Sequence, residues 1–464
     1  MHSRSEAKAM GLPDLDGWAM TPPRGPSRAA TPEIAYCAKA LELPVAPGHE
    51  PYLNRVLDLA LDAGTFRELA TFGRGFEATD EFRAVIDYFA VPDGRLPAGF
   101  AVRFRLGPGG RVAADLRRDI SYGADGCLRP TPVLYSADSA NPYEVAPIAP
   151  YIANLTCNPG IVYDLFLNNP EANVGRHFKD RDEVIGEIGR ILGPGCDISV
   201  ELDNPFEQDP GRLLEEAEHF REMLSRWRVV IKVPHTGPVG PHNVSQLLDG
   251  DRRLEDRWWE PNTADAFRGH RLALMLREHG FRVNFTLMFE PHQTGLALQA
   301  RPYFINSFVR HRLIQSRRIA ELLGRADGAG DDDRLAELRD YLIATDYLSP
   351  RDSRRDLGEV REIAETILEL RRYAGADGSD GLDGVRHNLR LLRNANLPDT
   401  RLIVCSMQGP RNYPDIDRLL AEPEFADMSR RVVVTAEPSY LARFTSANQV
   451  ISYQRRFTSA VRGA

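Results

Sequence analysis

From Thr131 onward the chain of 464 residues repeats one texture, in which short apolar segments alternate with longer stretches whose apolar residues recur every three or four positions. The short segments are Val133–Ala137, Tyr151–Leu155, Asp197–Glu201, Val229–Val233, Arg282–Met288, Tyr303–Asn306, Leu402–Cys405 and Val432–Thr435. Segments apolar on both faces read as strands of a parallel sheet covered by helices. Helical spacing is clear in Leu213, Ala217, Phe220 and Leu224, and again in Val360, Ile363, Ala364, Ile367 and Leu368. Eight such units predict an α/β chain closed into a (β/α)8 TIM barrel over residues 131–464.

Two regions fall outside that repeat. Residues 1–30 carry Pro13, Pro22, Pro23 and Pro26 without periodicity and read as an extended or partly disordered lead. Residues 31–125 read as a separate N-terminal α+β region of unknown role: helical patterns to about Tyr88, then a hairpin in which Phe100, Val102, Phe104 and Leu106 alternate with polar or small residues before Gly107-Pro108-Gly109-Gly110 and a second strand, Val112 to Ile120. Within the barrel, the interval from Ser307 to Arg401 is too long for one crossover. It reads as extra helices between strands 6 and 7, joined by acidic, glycine-rich surface loops whose spacing does not match a calcium loop.

Composition narrows the partners. Lys and Arg number 58 against 66 Asp and Glu, a net charge of −8, and the arginines are scattered rather than gathered. This argues against nucleic acid or an anionic membrane and leaves small molecules, with a homodimer as one assembly the chain could form. No run approaches a transmembrane span and Met1–Glu6 lacks the apolar core of a signal peptide, so a cytoplasmic protein is expected. The five cysteines, Cys37, Cys127, Cys157, Cys196 and Cys405, are odd in number and form no CxxC pair, which fits reduced thiols and no zinc site.

Chemistry concentrates at the strand ends, where barrels of this kind place their catalytic groups. Lys232 lies in Val229-Val230-Ile231-Lys232-Val233, bracketed by β-branched residues. Burial there would lower the pKa of the amine, the property that makes a lysine an imine-forming nucleophile; a snorkelling strand-end lysine is the structural alternative. Asp138 closes the first strand, Asn158 follows the second, Glu201 ends the third, and Asn284 and Thr286 lie on the fifth. An imine-forming reaction needs a carboxylate and a hydroxyl to handle water, and Glu201 and Thr286 are suitable in type; Asp138 could move a proton at a substrate hydroxyl. Each taken alone could equally be a cap or turn residue, Asn158 before Pro159 above all.

The ordered set Asp138-Ser139-Ala140-Asn141-Pro142-Tyr143-Glu144-Val145, Thr156-Cys157-Asn158-Pro159-Gly160, Ile231-Lys232-Val233-Pro234-His235-Thr236, Asn284-Phe285-Thr286-Leu287-Met288-Phe289 and Gln293 resembles the transaldolase family in identity and order. The resemblance runs from about Thr131 to the C-terminus. It implies a Schiff-base mechanism without metal or other cofactor: Lys232 as imine lysine, Asp138 as proton-transfer group, Glu201 and Thr286 holding the catalytic water, Asn158 and Asn284 binding donor hydroxyls. The acid at 201 favours transaldolase proper over the fructose-6-phosphate aldolases, which carry an amide there.

The recognition residues depart from the family. Asn306-Ser307-Phe308-Val309-Arg310-His311 stands where Ser-Pro-Phe-Val-Gly-Arg is usual, and Ser406-Met407-Gln408 where Ser-Phe-Arg is usual, so His311 and Gln408 replace two phosphate-binding arginines. Neither reproduces a guanidinium fork, although Arg310 or Arg312 could substitute after a one-residue shift. Glu290 and His292 also change the rim. With Asn306, Phe308, Arg310, His311 and Gln408 as the substrate-binding set, the expectation is transfer of a dihydroxyacetone-type unit between sugar or polyol substrates with reduced dependence on phosphate. An aldolase that releases the free ketone, and a non-catalytic barrel serving as a binding or scaffold module, are the alternatives.

Overall fold

The computed structural model describes residues 19–20, 34–193, 196–224, 228–325, 332–375, 377–407, 412–443 and 446–463. The chain divides into two compact units, one formed by residues 1–132 with 192–197 and 224–228, the other by 133–191, 198–223 and 229–464.

In the first unit, strands β1 (Ala19–Met20), β2 (Ile34–Cys37) and β3 (Ala60–Leu61) form one small antiparallel sheet. A second sheet contains β4 (Gly75–Ala78), β5 (Phe100–Leu106) and β6 (Arg111–Arg118) in the order β4-β6-β5. The expected hairpin is present, with Phe100 opposite Arg118 and Leu106 opposite Val112 across the glycine-rich turn. The helices Ala63–Phe72 and Asp80–Phe89 are each started by a side chain that accepts backbone N–H groups, Asp62 and Thr79. Between them lies β4, paired parallel to β6, which the helical reading of this stretch overlooked because strands of two to four residues leave no period to detect. The lead over residues 1–30 falls outside the described residues except for Ala19–Met20, which is extended and paired. A core of Leu53, Leu69, Phe76, Phe82, Phe89 and Phe100 fills the unit.

The second unit contains the eight-stranded closed barrel, all parallel: β7 (Leu134–Asp138), β8 (Asn154–Thr156), β9 (Asp197–Glu201), β10 (Arg228–Pro234), β11 (Arg282–Thr286), β12 (Phe304–Phe308), β13 (Arg401–Cys405) and β14 (Val432–Ala436), with β14 pairing back to β7. Every residue of β10, β13 and β14 is buried, as two-sided burial requires of such apolar runs. The boundaries move by a few residues from those expected. The second strand starts at Asn154 rather than Tyr151, because Pro147 and Pro150 hold Ala146–Tyr151 in a 3-10 turn and cannot donate to a ladder. The fifth ends at Thr286 because Leu287 turns into the left-handed region at φ 55°.

The interval between β12 and β13 is helical, as expected: Arg310–Arg325, Asp332–Ala344, Leu357–Leu370 and Asp383–Asn394. The first three share their own apolar core of Ile319, Leu322, Leu338, Leu342, Val360 and Ala364. No grouping of three or more His, Cys, Asp or Glu suited to a metal ion occurs among the described residues, and no helix among them is long and apolar enough to cross a membrane.

One helix reaches the Lys232 strand at backbone distance. Gly269, in the helix Arg268–Glu278, sits so close to β10 that a Cβ there would stand 2.2 Å from the Pro234 carbonyl oxygen and 3.7 Å from Val233. Gly269→Ala is therefore expected to destabilise the fold by about 1–3 kcal/mol, as overpacking does. Helix propensity alone predicts a gain of about 1 kcal/mol, so the sign of the change in a urea titration decides between the two.

Candidate active site

Consecutive in sequence and adjacent in the barrel, β9 and β10 bring Glu201 and Lys232 together, with Lys232 Nζ 3.5 Å from Glu201 Oε2. The lysine side chain is 7% exposed and the carboxylate 14%, so the pair is held largely away from water. Asp138, the last residue of β7, completes the group electrostatically: its carboxyl and the Lys232 ammonium each act on the other. On β11, Asn284 stands opposite Lys232 and Thr286 opposite Pro234 in the parallel register, which places both on the side of the barrel next to the lysine.

The titration of these groups follows from burial and charge. Desolvation raises the Asp138 carboxyl to about 6, against a partial opposing pull from Lys232. Desolvation also raises Glu201, again with Lys232 opposing. For Lys232 desolvation works downward, but Glu201 and Asp138 outweigh it and the net shift is upward. The expectation of a depressed lysine is thus corrected. Apolar neighbours along the strand were visible in sequence, whereas the two carboxylates that stabilise the ammonium come from other strands.

Two polar atoms of the site have no partner among the described residues. Asp138 Oδ1 and Asn284 Nδ2 are both buried and without a hydrogen bond, an uncommon state that calls for a specific reason. One is an acceptor and the other a donor. Asn284 is otherwise fixed, since its Oδ1 accepts from Asn306 Nδ2 at 2.5 Å, and the same Asn306 amide donates to the Phe285 carbonyl at 2.6 Å. Beneath the site the barrel interior is polar across three strands. Asn154 Nδ2 donates to Ser136 Oγ at 2.8 Å and Ser199 Oγ donates to Asn154 Oδ1 at 3.2 Å, all three residues being fully buried.

The remaining expected residues take varied places. Asn158 caps the helix that follows β8, its Oδ1 accepting from Ile161 N at 2.9 Å, so its oxygen is committed to the backbone. Gln293 likewise serves the backbone, accepting from Phe289 and Glu290 N–H at 2.6 and 2.8 Å and donating to the Leu287 carbonyl at 3.1 Å. Phe308 ends β12 and packs on Phe289 at 4.7 Å between ring centres. Arg310 opens the next helix, its backbone N–H bound to the Ser406 carbonyl at 2.6 Å, and its charge pulls the Asp138 carboxyl downward. His311 packs on Phe289 at 5.2 Å, and burial together with Arg371 and Arg310 holds its imidazole below the usual range. Gln408 lies outside the described residues.

Arg312 is not a spare phosphate ligand. It is buried and ion-paired to both Glu290 and Asp383. Arg371 also holds Glu290, at 2.6 Å, and further donates to Gln315, Ser316 and the Tyr347 hydroxyl. Sequence reasoning missed this network, as it missed Glu437, which occupies the N-cap position of the helix after β14 and pushes Asp138 upward. Glu437 follows an apolar strand just as Asp138 does, so the strand-end criterion could have found it. Arg371 carries no such signal.

The fold is a parallel (β/α)8 barrel with a lysine and two carboxylates at its strand ends. Residues 135–333 match the model described as Transaldolase/Fructose-6-phosphate aldolase, which supports an aldolase-type enzyme. The match spans Asp138, Glu201, Lys232, Asn284 and Thr286. Among solved structures, a mandelate oxidase crystal structure is 13% identical over 57% of this chain and 80% of that chain with a TM-score of 0.23, a likeness too slight to bear on function. No curated protein matches the chain significantly by sequence.

Asp138 offers a direct thermodynamic check. Its folded pKa, about 6, lies above the ordinary 3.8, so the folded state binds the extra proton and this group's contribution to stability falls as pH rises between those values. Asp138→Asn is expected to be more stable than the parent above pH ~6, by about 2–3 kcal/mol at about 1.4 kcal/mol per pKa unit, with the difference vanishing below pH ~4. Chemical denaturation at two pH values measures it, and equal stability at both would count against a buried, ionised Asp138.

Proposed function

We propose that this chain is a transaldolase-type enzyme that forms a Schiff base between Lys232 and a ketose donor and passes a dihydroxyacetone-type unit to an aldehyde acceptor. The observation that carries the reading is the buried Lys232–Glu201 pair beside an Asp138 carboxyl whose Oδ1 has no protein partner, inside a domain of the transaldolase/fructose-6-phosphate aldolase family.

The chemistry follows from those groups. Lys232 is an ammonium at rest, so it must first give up a proton, and Glu201 at 3.5 Å is placed to take it. The free amine adds to the ketone carbon. Glu201 then returns the proton to the departing oxygen, which leaves as water and yields the protonated imine. Asp138 takes the proton of the hydroxyl beyond the adjacent carbon–carbon bond, that bond breaks, the aldehyde departs, and the electron pair is stored as an enamine on Lys232. Addition of the enamine carbon to a second aldehyde reverses this step, with Asp138 giving its proton to the new hydroxyl. Water then releases the product. A carboxyl near 6 is well matched to taking and returning a proton close to neutrality. Asn284 Nδ2 would donate to a donor hydroxyl, and Thr286 would hold the water with Glu201.

Phosphate recognition is reduced on this reading. His311 is neutral at pH 7 and Arg312 is ion-paired twice, which leaves Arg310, whose charge also reaches Asp138, as the cation at this rim that a phosphate would use.

Borohydride trapping with fructose 6-phosphate, fructose and dihydroxyacetone in parallel, followed by peptide mass analysis, tests the proposal. A reduced adduct on the Lys232 peptide, absent in Lys232→Ala, is the expected outcome, with the phosphate conferring less than a tenfold advantage. Failure of a broad carbonyl panel to label Lys232 would remove the Schiff-base reading. Release of free dihydroxyacetone without acceptor, at the rate seen with acceptor, would make the enzyme an aldolase rather than a transferase.

A further inference from the structure

A second cavity, of about 1280 Å³, opens at the C-terminal end of the barrel without including Lys232 or Asp138 in its walls. It is built from the loop after β10, the turn after β11 and the helices inserted after β12. It adjoins the barrel mouth through Phe289, which lines it and packs on Phe308 at the end of β12. A triose or hexose would leave most of this volume empty, since pockets of about 300–1,000 Å³ already hold drug-sized molecules.

The arginines in its wall are already ion-paired. Arg312 and Arg371 are held by Glu290, and Arg312 also by Asp383. Arg386 meets Asp380 at 3.1 Å and Glu422 at 3.0 Å, Arg390 meets Glu424 at 2.6 Å, Arg355 meets Asp352 at 3.1 Å, and Arg372 meets Asp377 at 3.4 Å. A phosphate or carboxylate entering the cavity would have to displace a carboxylate from each arginine it used, so the wall disfavours anions. His292, His311 and His387 add polarity without charge, because burial lowers all three imidazoles below their usual range. A neutral imidazole offers one donor and one acceptor, which suits a hydroxyl.

The apolar part of the wall is aromatic. Trp258 and Trp259 stand edge to face at 5.5 Å, and Trp258 meets Tyr347 at 6.3 Å. Trp258 is fixed by its Nε1, which donates to the Tyr347 carbonyl at 3.1 Å, yet the two indoles remain 42% and 39% exposed. An indole held by the backbone while its ring lines open volume, as Trp258 is, with Trp259 packed against it, is a preorganised platform. The electron-rich indole faces pack against the slightly positive C–H face of a sugar ring or against another aromatic ring.

We propose that this cavity is a binding site for an uncharged glycoside, a sugar ring bearing a second sugar or an aryl group, seated on Trp258 and Trp259 with its hydroxyls toward the histidines. This goes beyond the Schiff-base reading and does not depend on it.

Titration calorimetry of the full chain with phenyl β-glucoside and maltose, against glucose 6-phosphate and inorganic phosphate, tests it. Saturable binding of at least one uncharged glycoside is expected in the parent and equally in Lys232→Ala, weakened by about tenfold or more in Trp258→Ala, a change of about 1.4 kcal/mol. Should Trp258→Ala unfold, Ile363→Trp places added volume in the same cavity, which Ile363 also lines, and is expected to weaken binding as much. Three results would overturn the proposal: no glycoside binding in the parent, binding untouched in both cavity variants, or glucose 6-phosphate bound more than tenfold tighter with the advantage lost in Arg390→Ala. Because Lys232→Ala is expected to bind normally, a failure of imine trapping leaves this result intact, and a failure here leaves imine trapping intact.

Discussion

The interaction on which the site depends is the confinement of one ammonium with two carboxylates inside a barrel that gives none of them much water. Lys232 on β10 is stabilised in its charged form by Glu201 from β9 and Asp138 from β7, although burial by itself works the other way. The carboxylates are raised by the same burial. Each of the three groups therefore biases the protonation of the others. A lone buried lysine would be a neutral amine, and a lone buried carboxylate a neutral acid. On the function proposed above, this set would pass a proton from lysine to acid and back, which an imine-forming reaction demands at two separate steps.

The barrel supports this set with a polar interior. TIM barrels usually fill their centre with branched apolar side chains, but here Ser136, Asn154 and Ser199 hydrogen-bond across three strands below the site, and Asn306 anchors Asn284 beside it. Breaking one of these buried bonds would leave an orphaned polar group, which is costly. Gly269 lets a helix press directly on the carbonyl of Pro234 on the lysine's own strand. The rim is organised differently. Glu290 joins Arg312, Arg371 and Tyr347, tying the turn after β11 to the inserted helices. In that rim Arg312 and Arg371 are ion-paired within the protein.

Much of the fold was legible because strands buried on both faces leave a plain signature, and eight of them separated by helical spacing admit few architectures. Asp138, Glu201 and Lys232 were legible for a related reason, since polar residues that end apolar strands stand out against their neighbours. The polar interior was not legible. Ser136, Asn154 and Ser199 sit in segments where a small polar residue reads the same whether it faces the barrel axis or a helix. Asn158 looked like a ligand in sequence and is occupied, at least in part, by a backbone group, as is the motif residue Gln293, because a side-chain amide near a turn satisfies the nearest N–H first.

The sequence by itself determined the architecture, the strand ends and the identity of the acid and amine groups, since these follow from periodicity and from residue type. Only the tertiary structure decided the direction of the Lys232 shift, the pairing of Arg312 and Arg371 with Glu290, and the existence of a large neutral cavity beside the barrel mouth. The physical reason is the same in each case. Coulombic interaction and desolvation depend on distances between groups far apart in the chain, and those distances are set by how the strands close and where the inserted helices come to rest.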